Sequence, residues 1–294
     1  MSNTGLAILM AAAVCLFSCK PSGEGHPKAI LGAILIDGEG GPPLSNSVVI
    51  VADGRIHAAG PPSGIPIPAD ADRINGSGKF LIPAPLDVSQ GAKLIRPASL
   101  AQARADVAKM VADKSTVIHM AKLPPEVAEA VLEDARAANL PVIATISTQA
   151  EARFLVDHGA SGFVGMIRDT EDLDHDFVAN LRNLRIFFAP ALSSAGPSLD
   201  VAKRNTQRLF QAGIPIAVAA GGGDRQQEMR LLADAGLPPL DVIVAATRNT
   251  AAALRLEDAG VIAPGKRADM LLLSGNPAED LGNLTQVAMR IGDR

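Results

Sequence analysis

The spacing of apolar and polar positions changes rhythm twice along this chain. From residue 29 to residue 83, short runs rich in Ile, Val and Leu (AILGAILID, SVVIVADGRIHAAG, DRINGSGKFLIP) are separated by Gly, Pro, Asn and Asp clusters. Asp53-Gly54, between SVVIVA and RIHAAG, is a hairpin signal, so this part predicts a small all-β module. From about residue 98 the period lengthens. In SLAQARADVAKMVAD, the residues Ala103, Val107, Met110 and Val111 fall at helical spacing, and the strand-like STVIHMA follows. The alternation continues through PPEVAEAVLEDARAANL and PVIATIS, AEARFLVDHG and ASGFVGMI, DFVANLRNL and RIFFAPAL, then VAKRNTQRLFQAG and IPIAVAAGG. Near-continuously apolar strands, each preceded by a helix, predict a parallel sheet covered by helices: an α/β barrel or a fragment of one. GKRADMLLLSGNP and TQVAMRI return to strand character and are expected to pair with the N-terminal module.

The first twenty residues stand apart. GLAILMAAAVCLFS is an unbroken apolar and small run of 14 residues, too short to span a bilayer as a mature helix and placed where an export signal sits. Leu16-Phe17-Ser18-Cys19 resembles the lipobox of bacterial lipoproteins. That resemblance implies a signal peptide over 1–18, a lipidated Cys19, and a short tether over 19–28. An ordinary signal peptide or a buried N-terminal helix is the alternative. Cys15 lies inside the run, so the mature chain is expected to hold no disulfide. The expected location is the bacterial cell envelope, with membrane attachment through the lipid. Lys20, directly after the cysteine, favours the outer membrane, facing the periplasm.

Composition narrows the partners. The chain has 294 residues, 48% hydrophobic and 20% charged, which is globular and long enough for one large domain or two smaller ones. Its net charge of -4 contains no basic block, and with no Trp, no Tyr and 8 Phe there are few rings for bases to stack on. Nucleic acid is therefore excluded as an expected partner.

Four segments carry a resemblance to a known family. ILIDGEGGPPLSNSVVIVADGRIHAAGP, KFLIPAPLD, AATRNTAAALRLEDAGVIAPGKRADMLLL and GNPAEDLGNL are similar to the amidohydrolase superfamily, close to imidazolonepropionase-like and prolidase-like hydrolases. The resemblance runs from about residue 29 to the end. It implies a (β/α) TIM-like barrel over 80–264, interrupting a small β-sandwich built from 29–79 and 265–294. It also implies a metal, commonly zinc. The ligands would be a His-x-His pair after the first barrel strand, a lysine or glutamate after the fourth, histidines after the fifth and sixth, and an aspartate after the eighth. Such a metal lowers the pKa of a bound water, and the aspartate takes the proton.

This chain departs from that set almost everywhere. Ser89 and Gly91 stand at the first pair, Thr145 (with Ser147 nearby) at the fifth strand, Gly165 at the sixth, and Gly221 at the eighth, with Asp224 three residues later. At the fourth strand either Ile118 or His119 meets the position, depending on register. No metal or other cofactor is therefore expected; zinc or another divalent ion is the alternative, with His119, Asp224 and His175 as its weak ligand candidates. His26, His57 and His158 read as structural, and the run Asp174-His175-Asp176 reads also as a capped helix start. Gly221-Gly222-Gly223 lacks the Gly-Lys-Ser ending of a phosphate loop.

Length points the same way. Roughly 135 residues separate Leu86 from Gly221, whereas a complete eight-unit barrel takes about 250. The second and third units read as deleted, which leaves an incomplete barrel whose open edges invite distortion or a homodimer. Two functions follow as expectations. One is a non-catalytic, lipid-anchored protein that binds a small molecule or a protein. The other is a divergent hydrolase of carbon-nitrogen bonds.

Overall fold

The structure is a computed structural model that describes residues 26–292. The segment resembling a lipobox, with its Cys19, lies outside the described residues, as do Cys15 and Lys20. In chain order the first elements are β1 (Lys28–Leu35), β2 (Leu44–Ala52), β3 (Arg55–Gly60), β4 (Asp72–Asn75), β5 (Phe80–Pro83), α1 (Val88–Gly91) and β6 (Lys93–Ile95). Next come α2 (Leu100–Ala112), β7 (Ile118–Met120), α3 (Pro125–Ala137), β8 (Val142–Thr145), α4 (Gln149–Asp157) and β9 (Gly162–Val164). They are followed by α5 (His175–Asn183), β10 (Phe187–Ala189), α6 (Leu199–Gln211), α7 (Arg225–Asp234), α8 (Pro239–Val244) and α9 (Thr250–Ala253). The chain returns to β structure in β11 (Met270–Leu273) and β12 (Val287–Ile291).

The two chain ends meet in one seven-stranded sheet of order β12-β11-β5-β1-β2-β3, with β4 alongside β1. Asp53 and Gly54 both take positive φ, 50° and 69°, the geometry that a two-residue primed turn requires. Alternation along β2 splits its side chains. Val49 and Val51 join Ile30, Ile56, Met270 and Leu272 in one core, while Val48 and Ile50 pack with Ala29 beneath the loop carrying Ile65 and Ile67. At the β3 edge, Ile56 N donates to Lys266 O at 2.8 Å and Ala268 N to Gly54 O at 2.9 Å. The sheet therefore bends until its β3 edge reaches the segment that leads into β11.

The helical half holds a five-stranded parallel sheet, β10-β9-β8-β7-β6. Beyond β10 the ladder thins: Phe188 bridges Ile216, and Ala217 N donates to Phe188 O at 2.8 Å. Val88 N then donates to Val218 O at 2.9 Å, which brings 84–88 beside 215–220. The short α1 spans the remaining gap to β6. In the stretch where the second and third units read as deleted, one short strand, β6, stands between the segment 84–88 and STVIHMA and pairs with β7, Lys93 opposite Ile118. Seven extended segments take part, and the ladder is left open at α1.

Period-two alternation gives this sheet two apolar faces. Ile118, Met120, Val142, Ala144, Phe163 and Phe188 face the helices, while Val117, Ile143, Phe187 and Ala217 face the interior. The interior is narrow enough that one aromatic ring takes the space of a neighbouring side chain. Phe187 lies directly opposite Gly162, and a Cβ on Gly162 would sit 2.3 Å from the ring. Helix starts follow local chemistry. Ser99 caps α2, and Thr148 and Glu151 form a reciprocal capping box on α4.

Candidate functional site

At the C-terminal ends of these strands lies a cavity of about 880 Å³. Ser89, His119, Thr145, Gly165 and Gly221 all line it. The register at β7 is decided by burial. Ile118 is buried among the helix-facing residues, while His119 is 6% exposed and turned to the cavity.

His119 Nε2 lies 3.0 Å from Thr145 Oγ1, a contact across adjacent strands. Burial pushes the imidazole down to about 4, with the nearby Arg96 charge acting in the same direction. It is neutral at physiological pH. Ser89 Oγ accepts from Gly221 N at 3.1 Å. Buried Asp87 caps α1 by accepting from Ser89 N at 2.8 Å, and reaches across to Ala220 N at 3.3 Å. These bonds hold 87–89 against 220–221 where the ladder itself is thin.

The glycines at the site have backbone reasons. Gly165 has φ 97°, and a Cβ there would sit 2.4 Å from Ile146 O. Gly221 and Gly222 also take positive φ, 61° and 92°. The remaining sequence candidates are not brought together. Gly91 faces Leu254, with no room for a Cβ, and does not line the cavity. Asp224 caps α7 by accepting from Gln226 N and lies 3.6 Å from Arg230, and no hydrogen bond joins it to His119. His175 starts α5 with its side chain 97% exposed. The proposed His119, Asp224 and His175 grouping is thus spread over three elements. His57 lies exposed on β3, His26 is exposed, and His158 ends α4 with Nδ1 2.7 Å from Phe154 O.

Sequence reasoning missed the cations. Arg96, Lys122 and Arg168 line the cavity, each shortly after a strand end, and no Asp or Glu lines it. Lys122 Nζ lies 2.7 Å from Glu151 and donates to Ser147 Oγ at 2.8 Å. Burial pushes the Glu151 carboxyl up, but the bonds from Lys122, Ser147 N and Thr148 N outweigh it and leave the group low. Also missed was Glu228 on α7, wholly buried behind the cavity wall. It accepts from Leu192 N at 2.7 Å and Ser193 N at 2.9 Å, and burial holds its carboxyl above the ordinary range. The only signal for the cations was their place: a charged residue one to four positions past the ends of β6, β7 and β9.

The sequence profile of the amidohydrolase family matches residues 101–290, well over half of the chain. The chain belongs to the amidohydrolase family. A 57-residue stretch is 44% identical to imidazolonepropionase from Pyrobaculum arsenaticum, covering 19% of this chain and only 13% of that protein. Among solved structures, a putative prolidase from Bifidobacterium longum superimposes with a TM-score of 0.76 at 20% identity, over 91% of this chain and 93% of that one. A Xaa-Pro dipeptidase with bound methionine gives 0.76 at 14% identity, over 90% and 98%. Molinate hydrolase gives 0.74 at 15%, over 92% and 94%. At these identities the likeness is one of fold.

Family membership raises the question of a metal. A zinc site needs three or four N, S or O donors in tetrahedral reach. This cavity offers one imidazole, already bonded to Thr145, and neither a carboxylate nor a thiol. Among the described residues no group of three or more His, Cys, Asp and Glu side chains could hold an ion. The residues here do not fit the family metal, and no chemical step is derived through one.

Proposed function

We propose that this amidohydrolase-family chain is a lipid-anchored cell-envelope protein that uses the fold to bind a small molecule or a protein partner, having lost metal-dependent hydrolysis. Its scaffold is read as an incomplete (β/α) barrel with a β-sandwich from both chain ends, and its anchor as Cys19. One observation carries the reading. The cavity keeps its family place at the strand ends, while Ser89, Thr145, Gly165 and Gly221 stand where the resemblance puts ligands. Water activation at neutral pH has no substitute in small neutral side chains.

The test is elemental analysis of the purified chain, with and without added zinc. The expected result is well below one ion per chain at any loading. About one tightly held ion per chain would sink the proposal and send the protein to a hydrolase substrate screen.

A second reading, a divergent hydrolase of carbon-nitrogen bonds, rests on the neutral His119 imidazole beside the Thr145 hydroxyl inside the cavity. It requires that His119→Ala abolish some amide or cyclic-amide hydrolysis, and unchanged turnover would count decisively against it.

A further inference from the structure

The charge of the cavity wall is one-sided. Arg96, Lys122 and Arg168 follow the ends of three different strands, β6, β7 and β9, and turn up on one cavity that no carboxylate lines. Acids close in sequence are engaged elsewhere. Asp169 accepts from Gln149 N, Glu171 pairs with Arg204, and Glu151 pairs with Lys122 while accepting from Ser147 N and Thr148 N at the start of α4. Arg168 has a single carbonyl partner, Ala195 O at 3.2 Å, and Arg96 has no hydrogen bond or ion pair among the described residues. Two guanidinium groups, charged at any physiological pH, therefore face a concave space without a counter-charge. A cleft of one sign, walled by low-dielectric protein, focuses its field and concentrates ions of the opposite sign.

The rest of the wall says what kind of ion. Leu94, Leu123, Ile146, Val164 and Met166 also line the cavity, so an inorganic anion alone would leave apolar surface uncovered. The volume of about 880 Å³ falls within the roughly 300–1,000 Å³ typical of small-molecule sites. Guanidinium forks match the two oxygens of a carboxylate or phosphate.

Resting on the reading of this cavity as a binding site without metal, we infer that it takes an organic oxyanion, its carboxylate or phosphate head near Arg96 and Arg168 and its apolar body against Leu123 and Met166. This assigns to the strand ends the opposite polarity from a cation site. The donors face outward from the protein toward negative charge.

The experiment is calorimetric titration of the full-length chain with hexanoate, hexyl phosphate, hexanol and hexylamine, each at low and high salt. At least one of the two anions should bind at least tenfold more tightly than hexanol, weaken with salt, and leave hexylamine unbound; the tighter one identifies the head group. Because Arg96 is exposed, Arg96→Ala should fold with an unchanged melting temperature. It should lose roughly 10- to 100-fold in anion affinity while hexanol is unaffected. Arg96→Lys should recover part of the loss. Equal binding of hexanol and the anions, no binding of either anion, or an Arg96→Ala variant that binds them normally would each overturn the inference. Elemental analysis of the same sample separates the two levels. A metal-free chain that ignores both anions refutes only this inference, whereas anion binding that vanishes with removal of a bound metal refutes the proposed function beneath it.

Discussion

A single methyl group added to Gly162 puts the packing on the inner face of the parallel sheet to a quantitative test. Gly162 pairs with Phe187 across β9 and β10, and its new Cβ would meet three ring atoms at 2.3, 2.5 and 2.5 Å. Ordinary carbon contacts lie at about 3.5–4.0 Å, so the ring must retreat by more than about 1 Å. It has little room to do so, because Phe187 is itself buried among Ile143, Val164, Ala189 and Ala217. Overpacking of this kind costs about 1–3 kcal/mol. Gly162 does not lie in the left-handed region, so alanine recovers about 0.4–1 kcal/mol from the unfolded chain. The net destabilisation is roughly 1–1.5 kcal/mol, or roughly 2 °C in Tm at this chain length. Thermal unfolding of Gly162→Ala, Phe187→Leu and the double variant forms a cycle. Leucine in place of the ring makes room for the methyl, so the double variant should be more stable than the two single costs predict, by roughly 1 kcal/mol or more. Single costs that add within about 0.5 kcal/mol, or an unchanged Tm for Gly162→Ala, would refute the packing argument.

Other perturbations bear on the site and the anchor. His119 titrates near 4 in the fold against 6.5 ordinarily, so the unfolded chain takes up a proton that the fold refuses. Stability is full above pH 6.5 and falls as pH drops toward 4, by up to about 3 kcal/mol; NMR titration of the ring and a flattened acid limb in His119→Gln check this. Glu228 has the opposite sign, since its carboxyl is raised by burial. Its contribution is full below the ordinary carboxylate value and is lost as pH climbs toward the raised one, and Glu228→Gln should remove that decline from a series of melting curves. Glu228→Ala strands the Leu192 and Ser193 amides without an acceptor and should cost about 2–4 kcal/mol in denaturant unfolding. Cys19→Ser should move the protein from the membrane fraction to the soluble one, and a variant that still pellets with membranes would remove the anchor from the proposal.

What the sequence could show depended on whether a feature repeats. The Asp53-Gly54 turn was legible because two residues with positive φ in succession require that chemistry. The helix-strand alternation was legible because each strand is apolar on both faces. Strand β6 was not: it has three residues, two of them exposed, and offers no run to detect. The position of Ser89 on the cavity followed from its place at a strand end. Gly91 was placed with it because the turn of α1 was not foreseen, and that turn sends residues two apart to opposite sides. Asp224 looked available as a ligand, but the start of α7 takes its carboxylate as a cap. Arg96, Lys122 and Arg168 are single charges in separate loops, and only the assembled strand ends make them a group.

The sheet made from both chain ends also sets a timetable. Strand β5 is flanked by β1 on one side and β11 on the other, and β3, paired with β2 along one edge, finds a partner for its outer edge only in residues 265–268. During synthesis the first five strands leave the ribosome some two hundred residues ahead of the partners that complete them. Until those partners arrive, an edge of β5 and an edge of β3 remain unsatisfied, and long-range pairings of this kind are slow to form. Native completion of the N-terminal module must therefore wait for residues 265–291, and the window during which it stays incomplete is set by topology.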